Sequence, residues 1–74
     1  MESQDWAALA KNTLKAELAR KGVDYETLVV KLSDIGVEES YNSVNTKINR
    51  GSFPFQFFLQ CMKALGVKLV KIED

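Results

Sequence analysis

The sequence predicts a compact, all-α domain of four to five helices, closed by a short C-terminal β-strand. Three observations carry that expectation. Apolar residues recur three and four positions apart along most of the chain. Glycines stand at positions 22, 36, 51 and 66, each behind a segment with helical spacing. The final stretch, Val67-Lys68-Leu69-Val70-Lys71-Ile72, alternates imperfectly and is rich in β-branched residues. At 74 residues the whole chain, 1–74, is a single domain. A domain of that size buries only about 60–65% of the surface its unfolded chain exposes, so its stability margin is thin.

The first helix is expected over 5–21. Asp5 caps it, Trp6, Ala10, Leu14 and Leu18 form an inward stripe widened by Leu9, and Arg20 and Lys21 suit its C-terminal dipole. Trp6 reads as a lid on the core. The second helix, 25–35, has Asp24 as cap, Glu26 in its first turn and Leu28, Val29, Leu32 and Ile35 as its apolar face. Val37-Glu38-Glu39-Ser40 then forms a turn into the third helix, 40–50, with Ser40 as the best cap. Val44 and Ile48 make its narrow apolar stripe, with Tyr41 one turn earlier. The fourth helix, 54–65, opens at Pro54 after Ser52, a candidate cap. Phe55, Phe58, Leu59, Met62 and Leu65 recur there at helical spacing, and Phe57 and Cys61 broaden the face. Its aromatics read as core, because Phe53–Leu59 holds no charge of the kind that accompanies base-stacking platforms. The strand, 67–72, needs a pairing partner. An extended N-terminus or the same strand of a second copy would serve, which makes Leu69, Val70 and Ile72 the candidate homodimer contacts.

Composition narrows the chemistry. A chain 46% hydrophobic and 27% charged is ordinary globular protein rather than a disordered tail. It has no histidine and one cysteine, Cys61, inside an apolar run. That removes the usual zinc sites and the Cys/His and Ser/His/Asp arrangements, and the isolated glycines make no phosphate loop. Neither an enzyme nor a cofactor or metal is expected. No apolar stretch approaches membrane-spanning length, and no signal segment is evident, so a cytoplasmic protein without membrane contact is expected. The net charge is zero, but it is segregated. Residues 1–39 hold eight acids and five bases, whereas Lys47, Arg50, Lys63, Lys68 and Lys71 follow with no acid before Glu73. Such a basic half attracts phosphate.

The third helix gives that charge a use. Asn42, Ser43, Asn45, Thr46, Lys47, Asn49 and Arg50 fill nearly all of its surface, and none is acidic. Amides, hydroxyls and cations are the groups that read base edges between phosphates. In order, Leu14–Lys21, Tyr25–Ile35, Ser40–Arg50 and Pro54–Leu65 resemble the lambda-repressor-like Cro/repressor class of helix-turn-helix domains, over roughly residues 12–68. Leu28 matches the class's core leucine, Asn49-Arg50-Gly51 the close of its recognition helix, and Met62-Lys63-Ala64-Leu65-Gly66-Val67 its fourth helix. More narrowly, Lys47-Ile48-Asn49-Arg50-Gly51-Ser52-Phe53 with Phe57-Phe58-Leu59-Gln60-Cys61 resembles a family of small uncharacterised bacterial domains. The class resemblance implies a transcriptional regulator that binds double-stranded DNA, with base contacts falling on Asn42, Ser43 and Lys47. Asn45 and Thr46 join them as candidates from the helix surface. Phosphate contacts are implied at Tyr25, Arg50 and the backbone around Ser52, and Lys63 and Lys68 add candidate phosphate cations. The alternatives are a protein-interaction module on the same fold and, with less support, an RNA-binding domain.

Overall fold

The computed structural model describes residues 5–72. Four helices make up its secondary structure: α1 (Trp6–Lys21), α2 (Tyr25–Asp34), α3 (Tyr41–Arg50) and α4 (Phe55–Leu65). The first three begin on side-chain caps. Asp5 accepts from the Ala8 N–H at 3.0 Å, Asp24 from Thr27 at 2.8 Å and Ser40 from Ser43 at 3.1 Å. Each acceptor satisfies a first-turn donor that the helix itself leaves unpaired. α4 differs. Pro54 stands at its cap position rather than inside the first turn and offers no side-chain acceptor. The first-turn amides of α4 therefore have no side-chain partner.

The helices enclose one core. Leu14 and Leu18 of α1, Leu28 and Leu32 of α2, Val44 and Ile48 of α3, and Phe57, Cys61, Met62 and Leu65 of α4 are all buried. α2 packs against both α3 and α4, while α1 lies against α3 and α4. Gly51 makes the close approach between α1 and α3. Its φ of +70° is left-handed, and a Cβ there would collide with the Ala7 carbonyl. A side chain is excluded both by conformation and by space.

Further expectations change. No strand is found among the described residues, and the stretch 67–72 that was expected to form one is irregular. Among the described residues no strand lies beside it, and its Lys71 N–H donates instead to the Glu17 carboxylate at 3.4 Å. The chain before Asp5, part of the N-terminus expected as a partner, lies outside the described residues. Trp6 is no lid, being 72% exposed. α1 buries its middle, through Thr13, Leu14, Glu17 and Leu18, while its first turn extends beyond the core. α4, finally, is rotated from the expected stripe. Phe57, Cys61, Met62 and Leu65 face inward, leaving Phe55 and Leu59 exposed. Because α4 is apolar nearly all round, periodicity could not choose its inner face.

Candidate functional site

α3 is anchored by two residues one turn apart, Val44 and Ile48, both fully buried. That fixes which side chains look outward. Asn42, Thr46, Asn49 and Arg50 are exposed, and positions 42, 46 and 49 form one ridge at spacings of four and three. The ridge spans about 10 Å along the helix axis, a length that covers about three base pairs of duplex DNA. Ser43, Asn45 and Lys47 are only half-exposed.

Two of the predicted base contacts are held by a carboxylate. Glu39, just before α3, accepts from the Ser43 hydroxyl and from Lys47 Nζ, each at 2.7 Å. The Lys47 ammonium also lies 4.8 Å from the centre of the Phe57 ring, a favourable cation–π placement. Partial burial works to raise the Glu39 pKa, but the hydrogen bonds and charge of Lys47, with the Ser43 hydroxyl, hold it below its ordinary value. The carboxylate is thus ionised at neutral pH, and the lysine's charge is matched. The sequence placed Glu38 and Glu39 only in the turn before α3. It missed Glu39 as a clamp, although a Glu eight residues before a Lys across a helix start is compatible with one.

The remaining polar groups link α2 to α3. Asn49 donates to Asn45 Oδ1 at 2.6 Å and accepts from the Tyr25 hydroxyl at 3.4 Å. Burial, then neighbouring Tyr41, raises the Tyr25 pKa, so its phenol remains a neutral donor. The two tyrosine rings tilt against each other with centroids 6.3 Å apart. They edge a shallow groove of about 560 Å³ that also takes in Lys15, Glu26 and Asn49. Hydrogen bonds from Thr27 lower the Asp24 pKa, so a fixed negative charge stands beside Tyr25.

The predicted phosphate contacts do not all gather. Arg50 ends α3, and exposed Ser52 follows it into the uncapped start of α4. Lys63 sits in the last turn of α4 and Lys68 beyond it. Lys63 is therefore about 12 Å further along that helix than Phe55. Of the predicted dimer contacts, Leu69 is 90% exposed and Val70 and Ile72 are exposed to lesser degrees.

Elsewhere, Cys61 is fully buried. Burial pushes its thiol up to about 12, with nearby Glu39 adding to the rise and Lys47 opposing it. It is a packed hydrophobe rather than a nucleophile. No helix among the described residues is long and apolar enough to cross a membrane.

A family model described as "Domain of unknown function (DUF6471)" matches residues 6–70, and the chain belongs to that family. No curated protein matches the chain, and no solved structure does.

Proposed function

We propose that this member of the family binds double-stranded DNA, with α2 and α3 acting as a helix-turn-helix of the Cro/repressor kind and α3 entering the major groove. The observation that carries this reading is the outer ridge of α3, where Asn42, Thr46, Asn49 and Arg50 face solvent above the buried Val44 and Ile48. An amide supplies both a donor and an acceptor and so suits the adenine edge. Asn42 is the ridge amide whose side chain makes no hydrogen bond among the described residues, so it ranks first for base recognition. Arg50, with the uncapped amides of α4 beside Ser52, suits the adjacent phosphates. Ser43 and Lys47 support the ridge from its flank, through Glu39, rather than reading bases. The domain would serve as a small transcriptional regulator in the cytoplasm.

The test is binding of an operator selected from random duplexes, compared with unselected DNA. Asn42→Ala should lose about 1–3 kcal/mol on the selected site and little on the rest. Ser43→Ala should leave both nearly unchanged. Equal losses for Asn42→Ala on both DNAs would remove it as a specificity residue. The second reading, a protein-interaction module on the same fold, draws on Glu39, which occupies two groups that DNA would otherwise meet. Salt separates the two. With Arg50 and Lys15 as the cations near the ridge, log affinity for DNA should fall with a slope of about −1 to −2 per protomer. A protein complex held by apolar contact should barely respond.

A further inference from the structure

Opposite in character to the α3 ridge is a groove between the starts of α1 and α4, about 320 Å³ in volume and floored by Leu9, Ala10 and Phe58. Trp6, Phe55 and Ile72 stand at its rim, 72%, 71% and 63% exposed respectively. We infer that this groove is the contact through which two copies of the chain pair, independently of whether α3 binds DNA.

Three observations favour a second copy as the occupant. The patch carries both projecting side chains and a hollow, so a two-fold arrangement seats the Trp6 and Phe55 of each copy in the groove of the other. That is the self-complementarity an isologous contact requires. Among the described residues no ionisable side chain lines the groove, and the chain's formal net charge is zero, so two copies approach without net repulsion. The area is also sufficient. Aromatic side chains present about 150–250 Å² each, so Trp6 and Phe55, with Ile72 and with Leu59 one turn along α4, offer on the order of 500 Å² per protomer. Two such faces bury about 1,000 Å² in total, the lower bound for a specific interface.

The geometry does not favour tail-to-tail strand pairing. Stretch 67–72 is irregular, and the Lys71 N–H that a strand ladder would use is directed at Glu17. Ile72 contributes through the groove rather than through its backbone.

The experiment is sedimentation equilibrium of the full chain, read together with the emission of Trp6, its one tryptophan. The expected result is a dimer with a dissociation constant on the order of micromolar and a blue shift of Trp6 emission as concentration rises through it. Phe55→Arg, and independently Trp6→Arg by sedimentation alone, should raise that constant about 30-fold or more with unchanged helical circular dichroism. Leu69→Lys should leave it unchanged. A monomer at about 1 mM would overturn the inference and leave the groove to a different partner. So would a dimer that survives Phe55→Arg or dissolves with Leu69→Lys.

Discussion

α3 and α4 solve the same packing problem with opposite materials. α3 commits two aliphatic side chains, Val44 and Ile48, buries both completely and shows water an almost wholly polar surface. α4 is apolar on nearly every side, so burying Phe57, Cys61, Met62 and Leu65 still leaves Phe55 and Leu59 outside. A helix with few apolar residues has one way to sit, and its outer face is free to be specific. A helix with many has surplus, and the surplus is surface that water does not favour. One outer face suits a polar, charged ligand and the other an apolar one.

The contrast is sharpest between two phenylalanines two positions apart. Phe57 is 1% exposed and Phe55 71%. Phe57→Ala should cost about 3–5 kcal/mol, enough to unfold most of a domain this small, whereas Phe55→Ala should stay within about 0.5 kcal/mol. Urea denaturation at a concentration where the chain is monomeric checks both. Equal losses would mean that α4 does not sit as described.

At Gly51, α1 approaches the end of α3. Gly51→Ala should destabilise by about 2–4 kcal/mol, combining left-handed strain with overlap on the Ala7 carbonyl. Gly22 has a similar φ, +65°, but nothing within 4 Å of the Cβ it would gain. Gly22→Ala should therefore cost only about 1 kcal/mol. Thermal unfolding of the pair isolates the close approach from the backbone term.

Smaller effects concern the Glu39 clamp. Because its pKa lies below the ordinary carboxylate value of 4.5, Glu39 binds its proton less readily folded than unfolded. Its contribution to stability is present above that ordinary value and is lost as pH falls through the lower, folded one. Glu39→Gln should flatten the acid limb of the stability profile. On DNA the same variant should free Lys47 and steepen the salt slope by about one unit. An unchanged slope would show that Lys47 does not reach phosphate even when released. Cys61, with its thiol raised to about 12, should resist alkylation in the native protein at neutral pH and react once urea unfolds it.

Much of this architecture is legible in the residues. Asp5, Asp24 and Ser40 announce three helix starts through their side-chain oxygens, and Val44 with Ile48 defines the inner face of α3, because so few alternatives exist there. The failures have physical causes. α4 offers too many apolar residues for spacing to select among them, so Phe55, expected in the stripe, lies outside, and Phe57, expected to broaden it, is fully inside. Trp6 belongs to the helical period of α1 but lies about two turns before Leu14, the first core residue on that period. The β-branched tail has strand propensity without a strand to pair with, and propensity alone forms no ladder. At the candidate site, composition identified the polar surface of α3. Which of its members are engaged depends on where the Glu39 side chain folds back, a tertiary fact that no spacing rule contains.

In the proposed reading, the outer ridge of α3 meets DNA. The most direct measurement is an NMR titration of the amides and side-chain amides with a pool of random duplexes at low salt. Shifts should concentrate on Asn42, Thr46, Asn49, Arg50 and Ser52, fade as salt rises, and spare Trp6 and Phe55. If those α3 signals stay fixed at near-millimolar DNA, the ridge is not a nucleic-acid surface and the DNA-binding account is wrong.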